Sequence, residues 1–173
     1  TYQVFTTERG LTIGMYGGFF QVDVEKVASA VREMKQAGAE LIVMAIHWGI
    51  EGFYRPNTEQ EALGRALIDA GVDIVYGCHP HVLQRIEEYN GGVIYYSLGN
   101  FCFGGNHYPK DLDTVIVQQQ VVRGEDGTVT LGKLTPIPAS VSSQAPRNDF
   151  QPTPYEEGTE EYSRVLKKLG LAE

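Results

Sequence analysis

Three of the four histidines in this chain of 173 residues fall at the ends of two apolar runs. His47 follows Leu41-Ile42-Val43-Met44-Ala45-Ile46 and opens His47-Trp48-Gly49. His79 and His81 follow Val72-Asp73-Ile74-Val75-Tyr76-Gly77, within Cys78-His79-Pro80-His81. In open α/β sheets, functional groups collect at the carboxyl ends of parallel strands. Imidazoles gathered there suit metal ligation or acid–base chemistry. On extended backbone, positions 79 and 81 point to the same side, and Pro80 stiffens the segment. Taken alone, that spacing fits a pair of surface or satisfied histidines. Adding His47 from a neighbouring strand end turns it into a candidate metal site.

Other residues near these motifs have two readings each. Trp48 is a packing residue or a wall of the site, and Gly49 lets backbone approach closely. Glu51 is a solvated carboxylate or a general acid/base group. Asn100 ends an apolar strand, where it supplies turn chemistry or an amide that orients a ligand or holds a histidine. Cys78 reads as a small buried spacer, His107 as a surface residue, and Glu87-Glu88 as a solvated face. No phosphate-cradling loop, dinucleotide glycine fingerprint or nucleophile elbow is present, and Ser97 lacks the turn context of a serine hydrolase.

These side chains need a frame. Tyr2 to Phe5 and Leu11 to Tyr16 read as two strands joined through Glu8-Arg9-Gly10 and closed by Gly17-Gly18. The chain opens on Thr1-Tyr2-Gln3-Val4-Phe5, already strand-like and without an initiating Met, as if it began within a fold. Val24, Val27, Ala28, Val31 and Met34 mark one helical face, started by Asp23 and ended by Gly38. Thr58 to Glu61 has capping-box spacing. Ala62, Leu63, Ala66, Leu67 and Ala70 form the next buried stripe. Strands at 41–46 and 72–76, each preceded by a helix, imply parallel neighbours. Asn90-Gly91-Gly92 predicts a hairpin between Leu83–Tyr89 and Val93–Leu98, which returns Ser97 to Asn100 to the edge of His79 and His81. Thr114 to Val122 and Thr128 to Leu134 read as a final antiparallel pair. A polar, Pro-containing stretch from about 140 to 158 reads as a surface-crossing tail, and 159–169 as a short helix.

Length and composition fit one ordinary globular domain. The net charge of −8 argues against a general nucleic-acid surface. It also gives no long-range attraction to an anionic substrate unless a bound cation reverses the local field. The two cysteines, Cys78 and Cys102, make neither a disulfide framework nor a C-x-x-C site and read as reduced thiols. No apolar run has membrane-spanning length.

The ordered set His47-Trp48-Gly49-x-Glu51, Gly77-Cys78-His79-Pro80-His81-Val82 and Tyr96-Ser97-Leu98-Gly99-Asn100-Phe101 resembles the bacterial capsule synthesis proteins of the CapA/PgsA type. These are associated with poly-γ-glutamate production. The resemblance includes 67–75 and extends over about 1–140. That family is similar in fold to calcineurin-like metallophosphoesterases. The resemblance therefore implies an α/β fold: a layered β-sandwich flanked by helices. This chain would hold only its carboxyl-terminal portion in 1–140, followed by a Pro-rich tail and short terminal helix in 141–173.

By the same resemblance His47, His79 and His81 are divalent metal ligands (Mn, Zn, Fe or Mg), and Glu51 and Asn100 are catalytic positions. The family's Gly-Asp strand end and Asn/His-rich motif, which bring the bridging carboxylate, do not precede His47. An incomplete site, weak metal binding and loss of activity are expected for this chain alone. The implied role is capsule or poly-γ-glutamate biosynthesis with a metal-dependent hydrolase or transferase site. The alternative is a non-catalytic polymer-binding or assembly subunit. Implied partners are an anionic polymer or phosphoester substrate and the membrane-bound capsule machinery, with no nucleic acid. The implied location is outside the cytoplasmic membrane, anchored through an amino-terminal segment absent from this sequence, with no insertion by the chain itself.

Overall fold

Strands β1 (Tyr2–Thr6) and β2 (Thr12–Phe19) pair antiparallel, with Val4 opposite Gly14, in a computed structural model that describes residues 2–19 and 21–172. Thr1 lies outside the described residues. Strand β2 does not stop at Gly17-Gly18 but runs through both to Phe19. Only Gly18 is crowded: a Cβ there would meet Met44 and Val22 at 3.1 and 3.2 Å, whereas one at Gly17 would meet nothing within 4 Å.

Helix α1 (Val24–Gln36) starts where expected, because the Asp23 carboxylate accepts from the Glu25 and Lys26 N–H groups. Its buried residues are Val27, Ala30, Val31 and Met34. Strand β3 (Leu41–His47) follows. Helix α2 (Thr58–Asp69) is capped one residue earlier than the sequence suggested, by a capping box of Asn57 and Gln60. Its buried face is Gln60, Gly64, Leu67 and Ile68, rotated from the expected alanine stripe. The reason is close approach: a Cβ at Gly64 would meet Ile94 at 3.2 Å and Trp48 at 3.3 Å.

Strand β4 (Ile74–Cys78) is parallel to β3, which is parallel to β2. Strands β5 (Ile86–Tyr89) and β6 (Gly92–Tyr95) make the expected hairpin, with β6 parallel to β4. The result is a mixed six-stranded sheet in the order β1-β2-β3-β4-β6-β5. Alternate residues Ile42, Met44 and Ile46 of β3, with Val75 and Ile94, bury one sheet face under α1 and α2. Burial of each such side chain contributes about 1.5–3 kcal/mol.

Strands β7 (Asp113–Arg123), β8 (Val129–Ser140) and β9 (Thr153–Pro154) form a second, three-stranded sheet. Strand β8 runs past Leu134 through Pro136 and Pro138. The Pro138 carbonyl accepts from the Tyr155 N–H on the β9 side. The Pro138 nitrogen points the same way, so its missing N–H costs no bond to β7. Helix α3 (Glu160–Leu169), capped by Thr159, places Val165 and Leu169 against Leu83 and Val115. The two sheets are tied where the Tyr95 hydroxyl donates to Gln119 at 2.8 Å. The polar stretch after 140 is thus partly built in: Val141, Ser142 and Asn148 are buried and β9 pairs with β8. Among the described residues no helix is long and apolar enough to cross a membrane.

Candidate functional site

Phe19, His47 and Cys78 stand side by side at the ends of β2, β3 and β4, in direct strand register. This register, set by the apolar cores of the three strands, delivers the His47 ring to the sheet edge. The chain then bends sharply after β4. His79 and His81 both take positive φ, 104° and 58°. The extended backbone expected for this pair is absent. Such conformations cost about 1–3 kcal/mol in non-glycine residues and cluster at functional sites. The bend is pinned from outside by the Gly52 N–H, which donates to the Pro80 carbonyl at 2.8 Å.

The three imidazoles form a row. Ring centroids are 4.5 Å apart for His47 and His79 and 6.0 Å apart for His79 and His81. Two imidazoles on one tetrahedral ion would have centroids roughly 5 Å apart. The His47–His79 spacing is close to that value and the His79–His81 spacing exceeds it. Among the described residues no three His, Cys, Asp or Glu side chains, these three imidazoles included, are disposed to hold a metal ion together.

The ends of the row are better defined. His81 Nδ1 is 2.7 Å from the Asn100 side-chain oxygen, and the Asn100 amide nitrogen donates to the His81 carbonyl at 3.4 Å. An amide oxygen only accepts, so Nδ1 carries a proton, and in the neutral ring the lone pair is on Nε2. At the other end, burial pushes the His47 imidazole below its ordinary pKa, and nearby His79 and His81 push the same way. Its Nδ1 lies 3.7 Å from the Cys78 sulfur. Burial raises the Cys78 thiol, so it stays protonated, as a spacer would. Both cysteines are free.

Glu51 is exposed and lines an open cleft of about 700 Å3 with His81, Asn100, Tyr54 and Lys110. His47 and His79 are not among the residues lining it. His81 therefore joins two groupings: the imidazole row on one side, and the Glu51–Asn100 cleft on the other. Trp48 is a core residue, 2 % exposed, stacked on Tyr96 and donating from Nε1 to the Tyr96 carbonyl at 2.9 Å. His107 is exposed and edge-on to Phe150. Glu87 is not solvated: Arg65, Arg85 and Tyr96 all bond it.

Sequence reasoning missed the phenyl rings that bracket the row. Phe19 lies 6.0 Å from His47, and Phe103 lies 4.8 Å from His81. Phe19 could be found only from strand register, and Phe103 precedes Gly104-Gly105 with no periodicity to mark it.

A mixed six-stranded sheet with helices against it and a second, smaller sheet make a layered α/β architecture, compatible with a metallophosphoesterase-like fold. Within it, the chain belongs to the family described as bacterial capsule synthesis protein PGA_cap, whose model matches residues 6–105. It is 38% identical over 122 residues to the capsule biosynthesis protein CapA of Bacillus anthracis, covering 70% of this chain and 28% of that protein. It is 40% identical over 129 residues to the PGA biosynthesis protein CapA of Bacillus subtilis (strain 168), covering 75% of this chain and 33% of that one. A probable polyglutamine synthesis accessory protein of Mycobacterium tuberculosis is 34% identical over 76 residues, covering 44% of this chain and 20% of that protein. The chain thus spans about a third or less of the length of the relatives it matches.

Proposed function

We propose that this chain serves the biosynthesis of capsular poly-γ-glutamate and that His47, His79 and His81 are imidazole ligands of a divalent metal centre (Mn, Zn, Fe or Mg) in that work. The names of the two Bacillus relatives support the first part. The observation that carries the second is the His81–Asn100 bond of 2.7 Å, which leaves Nε2 available beside two further rings. Among the described residues no three His, Cys, Asp or Glu side chains are disposed to hold a metal ion, so the centre would need further ligands from outside them.

A metal held there would polarise an anionic substrate and stabilise developing negative charge. The chain's own residues have simpler tasks. Asn100 fixes the His81 tautomer. Glu51, exposed in the cleft, takes up or returns a proton. The reaction is metal-dependent hydrolysis or transfer on a phosphoester, or on an amide or carboxylate of a polyglutamate chain. The setting is outside the cytoplasmic membrane, alongside membrane-bound capsule machinery.

A second reading is a non-catalytic subunit that holds the anionic polymer or assembles the export machinery. It is favoured by the lack of a closed ligand set among the described residues. Bound metal and turnover of phosphoester and poly-γ-glutamate substrates by the full-length protein separate the two. Metal-dependent turnover that disappears in both His79→Ala and His81→Ala supports catalysis. Capsule production that survives both substitutions would establish the assembly reading instead.

A further inference from the structure

The loop that carries Glu51 has little hydrophobic anchoring of its own, since residues 51–55 are all exposed. Its position therefore depends on polar ties. One is the Gly52 N–H to the Pro80 carbonyl, already described. Another comes from inside. Gln84, fully buried at 0% exposure, donates from its side-chain nitrogen to the Phe53 carbonyl at 2.8 Å. The Gln84 side-chain oxygen accepts from the side-chain nitrogen of Gln60 at 2.9 Å, and Gln60 is 3% exposed. The Gln60 oxygen in turn accepts from the Asn57 N–H at 3.1 Å, at the far end of the same loop.

Two buried carboxamides are costly unless every polar atom is used, and among the described residues no buried side-chain polar atom lacks a partner. The loop is also held at its start, because Gly49, at φ +83°, packs against Gln60 so tightly that a Cβ would lie 2.8 Å from it. Gln84 lies three residues after His81 in the chain. The same short stretch thus carries the imidazole of the cleft and the clamp on the loop that faces it.

We infer that Gln84, relayed through Gln60, is a positioning residue that sets Glu51 against His81 across the cleft. This rests on the reading that the cleft is the functional site. A simple packing role would require only that the space be filled, and methionine would fill it.

The test is Gln84→Met in the full-length protein, read by amide hydrogen exchange and by turnover of an oligomer of γ-linked glutamate. Exchange at Gly52 and Phe53 should quicken by about tenfold or more, while α1 and β3 stay protected. Oligomer turnover should fall in Gln84→Met, with no further fall when Gln84→Met is added to Glu51→Gln. Exchange that is unchanged at 52 and 53, or quickened equally throughout, overturns the inference. So does a turnover loss that is the same with and without the Glu51 carboxylate. If neither wild type nor variants turn the oligomer over, the polyglutamate reading fails, and the exchange pattern alone decides the role of Gln84.

Discussion

His81 Nδ1 and the Asn100 side-chain oxygen lie 2.7 Å apart, so the neutral His81 ring has its lone pair on Nε2. Outer partners of this kind fix ring orientation and typically contribute 10–100-fold to metal affinity or activity. Asn100→Ala should therefore weaken Mn2+ or Zn2+ binding by about that factor in the full-length protein. Asn100→Asp, which keeps an acceptor at Nδ1, should restore most of it. Calorimetric titration reads both variants. Equal affinities for wild type and Asn100→Ala would remove Asn100 from the site.

His79 and His81 are held at positive φ, 104° and 58°, where glycine is at ease and other residues are strained. Substitution by glycine should relieve the backbone, whereas alanine keeps the strain. At each position the glycine variant should be more stable than the alanine variant by about 1 kcal/mol. Both should lose whatever the imidazole does. Urea unfolding curves give the comparison. Alanine variants as stable as the glycine ones would mean that the bend stores no strain.

Much of this arrangement was legible in the sequence, and the part that was not has particular causes. The apolar runs before His47 and His79 showed where strands end, and Asn90-Gly91-Gly92 showed which way the chain returns. Asn100 reaches His81 for that reason. The register that aligns Phe19 with His47 depends on pairing between distant segments. The bend at His79 and His81 has only a weak sequence signal: histidine is enriched among non-glycine residues at positive φ, but such residues are uncommon. The cap of α2 was ambiguous because Asn57–Gln60 and Thr58–Glu61 both have the spacing. The buried bond between Gln60 and Gln84 accompanies the earlier choice. Glu87 looked solvated because its partners Arg65 and Arg85 lie on other elements.

Acid should loosen the tie between the turn before β3 and the end of β7. Glu40 bonds Arg123 through both its oxygens, one at 3.0 Å. The hydrogen bond from Arg123, then that from the Thr12 N–H, lower the Glu40 carboxyl from about 4.5 to about 2. A carboxylate depressed in the fold contributes stability that is complete above its unfolded value and is lost as pH falls toward the folded one. Wild type should therefore lose stability between about pH 4.5 and 2 more steeply than Glu40→Gln. Asp73 acts in the opposite sense, because burial raises its carboxyl and its contribution falls as pH rises. Only the difference between the two proteins isolates Glu40. Thermal melts across that range with parallel slopes would show that the pair contributes nothing.

Asp113 gathers the region after residue 140 onto the second sheet. Its side chain, 2% exposed, accepts from Arg164 twice at 2.8 Å, from Lys168 at 2.7 Å and from the Tyr155 hydroxyl at 3.0 Å. Burial alone would raise this carboxyl, but Arg164, Lys168 and Tyr155 together hold it below the ordinary value. Removing one member of a buried ion pair usually costs about 3–5 kcal/mol, because the opposite charge is stranded. Arg164 is about half exposed and recovers water, whereas Lys168 is mostly buried but keeps Asp111. Asp113→Ala should therefore cost about 3 kcal/mol, at the lower end of that range. The loss should be concentrated in α3: its amides should exchange faster than those of α1, since Val165 and Leu169 pack on Leu83 and Val115 beside the broken cluster. Uniform loss of protection would mean that α3 unfolds only together with the six-stranded sheet, and that the segment from 141 onward is one cooperative unit with the rest of the chain.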